Sequence, residues 1–414
     1  MMKKTFFVCF IFLILVVGMS EVDASSTVGA RIGDRYFENL EDAITASKST
    51  DTITLTGNAA LDETLNINKT VNINLNNFTI SSDEKVFLVQ GGSLNLSGTG
   101  KIKETNPNYG AIMVIGSEDP NKDDFSTISV GSGITLEGWS GVFISQTNGK
   151  SYGVLVNMNG KINAVNDKNG DTGIGIYVNG NIKDNVNAPV INLGNDAQIN
   201  STGTGIYAAG YATYNINGAY ISGVESGIGI KSGIFNILDA TIMGTGNDET
   251  PTNGNNNGIN ASGVAIQIES NNGYKGNIEI DIKKGSFKSK NSYVLYEYVV
   301  NNTSTKVKDI NISGGTFISE ADKDVISVSA SFKNNHHEFI SGGTYSSNPN
   351  DFLKPGYSSS LNENSLYVVT SSTAQTFGTN TQGNTFTSIL IIVGIIGLAL
   401  LIWYNRAKIL LLFK

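Results

Sequence analysis

Apolar and polar residues alternate along the middle of the chain with a period of two. Ile191 and Leu193 flank Asn192, and Ile216 follows Asn215. Residues two apart lie on the same face of a β-strand, so this alternation predicts short strands that bury one face. Between these strands no run shows the period of a helix. The pattern therefore predicts an all-β fold.

The predicted strands belong to a repeat that opens with Gly and a short apolar run. Five such openings begin at Gly141, Gly173, Gly205, Gly227 and Gly263. They are about 20 to 40 residues apart, an interval typical of solenoids, propellers or arrays. Each round holds three short strands, whereas a propeller blade needs four. We therefore predict a right-handed parallel β-helix with one coil per round, and nine openings between Val86 and Val325.

One short stretch before the coils has the period of a helix. Phe37, Leu40, Ala43 and Ile44 fall on one helical face. The first coil of a solenoid otherwise leaves unpaired strand edges open to aggregation. We expect this amphipathic helix to cover the N-terminal end.

Hydrophobic segments stand at both ends of the sequence. Two lysines precede the apolar residues 6–17, which is typical of a secretory leader; an uncleaved anchor is the alternative, and the run is short for one. The apolar residues 386–404 are long enough for one bilayer span, and Arg406 and Lys408 follow directly. Positive charge marks the cytoplasmic side. The sequence thus predicts a single-pass protein of the cell membrane, with the solenoid outside and the C-terminus inside.

These features divide the chain into seven predicted parts. They are a leader (1–24), an N-terminal cap with the first strand (25–60), the β-helix (61–345), a closing module (346–369), a Ser/Thr-rich linker (370–385), a membrane helix (386–404) and a basic tail (405–414).

The closing module carries phrases that resemble those of a known family. Residues 342–345 read Gly-Gly-Thr-Tyr, 351–353 read Asp-Phe-Leu and 356–357 read Gly-Tyr, while 314–317 read Gly-Gly-Thr-Phe. This is similar to the end of large β-helical surface proteins of low-GC bacteria. The resemblance implies a pectin-lyase-like β-helix and a role at the cell surface.

The net charge and the cysteine content argue against several classes of ligand and metal site. The net charge of −8 argues against nucleic acid or anionic lipid as a ligand. The single cysteine, Cys9, lies in the predicted leader, which leaves no disulfide and no thiolate metal site in the mature chain. We expect no cofactor and no metal, and the membrane is contacted only through the C-terminal helix.

Catalytic chemistry has few candidates among the coils. The resemblance implies an Arg base and a calcium-binding Asp cluster for pectate-lyase relatives, yet Arg31, Arg35 and Arg406 all lie outside the coils. The adjacent pair Asp123 and Asp124 falls in a predicted solvated loop. We therefore predict no catalytic residue and no enzyme activity. The alternative is a polysaccharide lyase or glycosidase of the same fold.

Two further sets of residues are candidate metal ligands. His336 and His337 are adjacent on a predicted strand, so they point to opposite faces. Asp167, Asn169 and Asp171 have the spacing of a calcium loop. Another residue replaces the Gly that such a loop requires, so an ordinary polar turn is favoured. Calcium binding by these residues remains the alternative.

A group of tyrosines gives the most specific prediction of a binding site. These are Tyr177, Tyr207, Tyr211 and Tyr214. Tyr177 and Tyr207 occupy equivalent coil positions and are expected to stack. Exposed tyrosines on a solenoid face suit sugar rings or a protein partner, although the rings can instead serve packing alone. We predict a membrane-anchored structural or adhesive surface protein. A groove lined with Asp, Lys or His from several coils would instead favour the polysaccharide-active enzyme.

Overall fold

A computed structural model describes residues 29–122, 125–145, 149–184, 186–247, 262–300 and 304–372. The predicted leader, the membrane helix, the basic tail and most of the linker lie outside the described residues, as do Asp123 and Asp124. The described chain is an all-β structure with long parallel sheets, consistent with a β-solenoid.

The chain passes in turn through three parallel ladders, so each coil contributes three strands, as the repeat predicts. The first ladder consists of ten strands: Leu65–Ile67, Phe87–Gln90, Ile112–Ile115, Ser140–Ser145, Ile174–Val178, Thr204–Ala208, Ser226–Ile230, Val264–Asn271, Leu295–Val300 and Ile326–Ser327. All five Gly-led openings lie in this ladder, and its last nine strands confirm the predicted count.

The second ladder follows the first in nine coils, and its first strand, Thr52–Leu55, precedes the first ladder. Its strands are Thr52–Leu55, Thr70–Asn74, Ser93–Ser97, Ser126–Val130, Val154–Met158, Val190–Leu193, the first part of Thr213–Gly223 and of Gly233–Gly244, then Ile278–Ile282 and Val307–Ile312.

The third ladder completes each coil. Its strands are Ala59–Leu61, Thr79–Ser82, Gly100–Glu104, Ile134–Gly138, Lys161–Ala164, Gln198–Ser201, the second part of Thr213–Gly223 and of Gly233–Gly244, then Ser286–Ser289, Thr316–Ser319 and Gly343–Tyr345.

Antiparallel strands and short helices lie at the two ends. At the N-terminus Ala30–Ile32 pairs antiparallel with both Arg35–Phe37 and Thr52–Leu55. Helix α1 (Leu40–Ala46) follows and buries Leu40, Ala43 and Ile44, which confirms the predicted amphipathic helix for these residues. Phe37, predicted on the same helical face, instead ends the strand Arg35–Phe37. At the C-terminus Tyr367–Ser371 pairs antiparallel with Gly343–Tyr345 and Tyr357–Leu361, near helix α2 (Ala330–Asn335) and the 3-10 turn Asn350–Phe352.

Helix α2 corrects one detail of the sequence prediction. His336 caps the C-terminus of this helix rather than lying on a strand. Ser329 is the N-cap of the helix, and its hydroxyl accepts a hydrogen bond from the Phe332 N–H. Such N-caps stabilise helix starts. Neither described helix has the length and apolar character that a bilayer span requires.

The core consists of columns of side chains stacked between coils. Ile162, Ile199, Ile221 and Ile242 lie in register on the third ladder and are fully buried. Toward the C-terminus the column changes to rings that stack face to face, with Phe287, Phe317 and Tyr345 at centroid distances of 4.6 and 4.9 Å. Full burial of one such side chain contributes about 1.5–3 kcal/mol. The columns therefore make a rigid scaffold with three outward faces.

Candidate functional site

The outward face of the first ladder carries the predicted tyrosine stack. Tyr177 and Tyr207 are register partners, and their rings lie 5.2 Å apart at an angle of 12°. The predicted stacking is confirmed. Burial raises the pKa of both hydroxyls, so both stay protonated at neutral pH.

Neighbouring side chains cover the two outer faces of this stack. The far side of Tyr177 meets Phe143 at 4.6 Å and Trp139 at 5.8 Å. The Lys231 ammonium lies 5.0 Å from the Tyr207 ring centroid. Tyr207 is only 9% exposed. A sugar ring has little access to these ring faces, and the stack serves packing.

The other two tyrosines of the group are also enclosed. Tyr211 packs in a small apolar cluster with Ile182 and Ala188. Tyr214 points into the core, where its ring stacks on Phe235 at 4.2 Å. The alternation around Tyr214 carries the signal for this, because Tyr214 and the buried Ile216 are two apart. The structure therefore brings only Tyr177 and Tyr207 together and leaves Tyr177 alone partly exposed.

A buried charged cluster lies beside the stack. Lys231 and Glu269 are 1% and 0% exposed and form an ion pair. The Glu269 carboxylate also accepts hydrogen bonds from Tyr298 Oη at 3.2 Å and Asn271 Nδ2 at 2.7 Å. Burial lowers the pKa of Lys231, and the Glu269 charge opposes that shift. These groups come from different coils, and because they are buried they bind one another rather than solvent.

The polar turn at 167–171 is closed by its own hydrogen bonds. Asp167 Oδ1 accepts from the backbone N–H of Asn169 and of Asp171 at 2.7 and 2.8 Å. Asp167 Oδ2 accepts from Asn169 Nδ2 at 3.1 Å. In the described ranges no three His, Cys, Asp or Glu side chains are grouped closely enough to hold a metal ion.

The outward face of the second ladder carries a column of six amides and one hydroxyl, which we name the amide face. In register from coil to coil, its members are Asn72, Asn95, Ser129, Asn157, Asn192, Asn215 and Asn236. The column beside it holds Thr70, Ser93, Thr127, Leu155, Val190, Thr213 and Ile234. Neither column contains a charged side chain over these seven rungs.

Hydrogen bonds between rungs hold the amides in one orientation. The Nδ2 groups of Asn192, Asn215 and Asn236 each donate to Oδ1 of the preceding rung at 2.9 Å. Asn95 donates to Asn72 in the same direction at 2.8 Å. A side-chain amide has two N–H groups and two lone pairs, and the ladder uses one of each. Asn192 and Asn215 thus each offer a second N–H and a second lone pair, about 4.8 Å apart. Asn72 instead donates both of its N–H groups to the Ser49 and Asp51 carbonyls.

A groove of about 300 Å³ lies at the C-terminal end of the amide face. Its polar lining includes Asn215, Asn236 and Asp281, and Leu238 supplies an apolar wall that is 52% exposed. The remaining lining residues are Ile216, Asn217, Ile237 and Lys283.

An irregular corner makes room for this groove. The strands Thr213–Gly223 and Gly233–Gly244 run through the corner between the second and third ladders, and their register shifts on both sides of Asn217. Gly218 has φ of +87°, and a Cβ there would lie 2.2 Å from Asn195 Oδ1. Only glycine fits this bulge.

The amide face was not singled out as a site from the sequence. The signal was present, since Asn recurs between apolar residues in the second strand of successive coils. The varying coil length hides the register, because equal positions are not equally spaced along the chain. No protein-family model, curated protein or solved structure matches this chain.

Proposed function

We propose that this chain is a right-handed parallel β-helix, anchored at the outside of a cell membrane, that binds a glycan along its amide face. The observation that carries the proposal is the row of oriented amides from Asn157 to Asn236, in which Asn192 and Asn215 each keep one unused donor and one unused acceptor. Hydroxyl groups both donate and accept, so a hydroxyl-rich polymer lying along the face can use both. The uncharged rungs favour a neutral polymer over a uronic-acid polymer.

The remaining parts of this proposal are supported by the sequence. The apolar run at 386–404 with its basic flank supports the anchor, and the closing phrases support a pectin-lyase-like surface protein. Right-handed crossovers are the rule for parallel strands in one sheet.

A survey of immobilised glycans with the full-length protein tests the proposal. We expect binding to neutral polysaccharides, and at least about a tenfold loss when Asn192→Val and Asn215→Val remove two adjacent amides. Asn200→Val is the control, because Asn200 is an exposed amide at an outward position on the third ladder. Unchanged binding by the double variant, or equal loss in the control, would contradict the proposal.

The second candidate function is a polysaccharide-active enzyme. The charged cluster of Lys231, Glu269 and Tyr298 supports it, since these residues come from three coils and charged groups in a site are what acid–base chemistry requires. Their burial weighs against it. Steady release of reducing or unsaturated ends by purified protein, lost in Glu269→Gln, would favour the enzyme.

A further inference from the structure

The continuous run of amide hydrogen bonds from Asn157 to Asn236 ends at the rung after Asn236. In this run Asn192, Asn215 and Asn236 each donate to the preceding coil, and the Oδ1 atoms of Asn157, Asn192 and Asn215 accept from the following coil. After Asn236 the register partner is Asp281, whose carboxylate supplies acceptor oxygens and no N–H donor. Asn236 Nδ2 already donates backwards to Asn215 at 2.9 Å. Two sets of acceptor oxygens therefore face each other across this rung.

The other contacts of Asp281 leave this arrangement in place. Asp281 Oδ1 accepts from Asn311 Nδ2 at 2.7 Å, on the side away from Asn236. Asp281 Oδ2 lies 3.6 Å from Lys283 Nζ, so the charge of the carboxylate is compensated at the groove. A neutral N–H or O–H donor, rather than a second cation, fits between Asn236 and Asp281.

The rung lies inside the groove whose wall is Leu238. A group that fits here carries a neutral donor directly beside a small apolar part. A hydroxyl group supplies the neutral donor but has no apolar part, so it leaves the Leu238 side chain exposed to water. An acetamido group meets both, because its N–H can donate to the acceptor pair, its methyl can cover Leu238, and its carbonyl can accept a free N–H of the amide face.

We propose that this groove is a subsite for the N-acetyl group of an amino sugar within a glycan on the amide face. The inference rests on the proposed function and makes it specific. The glycan class it selects is a polymer that contains 2-acetamido sugars.

Three matched oligosaccharides test the subsite with the full-length protein. They are the β-1,4-linked hexamers of N-acetylglucosamine, of glucose and of glucosamine, compared by titration calorimetry. We expect the acetylated hexamer to bind at least about tenfold more tightly than the other two. Equal affinity for all three would overturn the subsite and leave the proposed function standing. Tightest binding of the glucosamine hexamer would overturn it in favour of cation recognition by Asp281.

Substitutions test whether the preference for the acetylated hexamer arises in this groove. Asp281→Asn supplies the missing donor and continues the amide ladder, so we expect the preference for the acetylated hexamer to fall to within about twofold. Asp309→Asn is the matched control, because Asp309 is an exposed carboxylate on the same face and outside the groove lining. Leu238→Ser should lower the same preference by removing the apolar wall. A preference that survives Asp281→Asn, or that Asp309→Asn also removes, overturns the inference. If none of the hexamers binds, the subsite is wrong, and the wider glycan survey separately decides the proposed function.

Discussion

The Tyr214 hydroxyl is buried in the core and has no hydrogen-bond partner among the described residues. An unpaired buried hydroxyl costs free energy, whereas the ring itself packs well on Phe235. We expect Tyr214→Phe to raise the free energy of unfolding by about 1 kcal/mol, measured by urea titration. Tyr345→Phe is the control, since the Tyr345 hydroxyl donates to the Gly342 carbonyl at 2.8 Å and its loss should destabilise. A destabilised Tyr214→Phe would show that the hydroxyl is satisfied.

Lys306 gives the stability a pH dependence of predictable sign. Burial lowers its pKa from the ordinary 10.5 to about 8, although Nζ donates to the Tyr274 carbonyl at 2.6 Å. Between about pH 8 and 10 the unfolded chain therefore binds more protons at this residue than the folded chain. The free energy of unfolding should rise with pH across that window.

Buried tyrosines set the upper limit of this pH window. Burial raises the pKa of Tyr207 and Tyr298, so above about pH 10 the unfolded tyrosines ionise first and stability falls. Lys306→Gln should remove a rise on the order of 1 kcal/mol between pH 7.5 and 9.5, after allowance for partial exposure. The exposed Lys290→Gln should leave the slope unchanged. An identical slope in Lys306→Gln and the parent would contradict the assignment.

At the scale of strands and coils, the Lys231–Glu269 pair fixes two coils against each other. Removing one partner of a buried ion pair leaves an uncompensated charge, so Lys231→Met alone should cost about 3–5 kcal/mol. Adding Glu269→Gln should recover part of that loss, because the remaining charge disappears. Urea titrations of the single and double variants measure the coupling.

An exposed pair provides the comparison. Lys284 and Asp239 lie 2.8 Å apart with side chains 73% and 36% exposed, and the same cycle there should yield a much smaller coupling energy because solvent screens both charges. Comparable coupling energies at the two pairs would show that burial does not decide the strength of the first.

Strand positions were predictable because each coil repeats a local rule. Alternation around Ile191 and Ile216, with Gly-led openings, marks strands whatever their neighbours are. The pairing of Lys231 with Glu269 was not predictable, since it joins residues 38 positions apart across coils of unequal length. The amide face depends on the same register. The apolar pattern around Ala330–Asn335 resembles that of a strand, yet these residues form a helix that Ser329 caps.

At the scale of the whole molecule, the apolar residues 386–404 predict the location of the chain. We expect the intact protein in the membrane fraction, and deletion of residues 386–414 to release a soluble form, because one span is the only predicted attachment. Fractionation and immunoblotting of both forms measure this. A truncated protein that stays with the membrane would refute the single-span anchor, provided that a secreted control protein is recovered in the medium.

The length of the solenoid limits how far the amide face reaches from that membrane. Ten strands of the first ladder at about 4.8 Å spacing make a rod of about 45 Å. The predicted linker at 370–385 adds at most about 60 Å even when fully extended. With the predicted membrane anchor, the amide face would therefore lie within about 100 Å of the bilayer.

A thick cell wall would cover a protein of this reach, so the proposed glycan ligand would have to come close to the membrane. We predict that the protein acts in a wall-less or thin-walled cell, or beneath the wall surface. An antibody against residues 200–300 should label intact thick-walled cells only after the wall is digested, and digestion of cells that lack the protein controls for nonspecific labelling. Strong labelling of untreated cells with a thick wall would mean that the binding face extends beyond the wall, and the short reach derived from the ten-strand ladder would then be wrong.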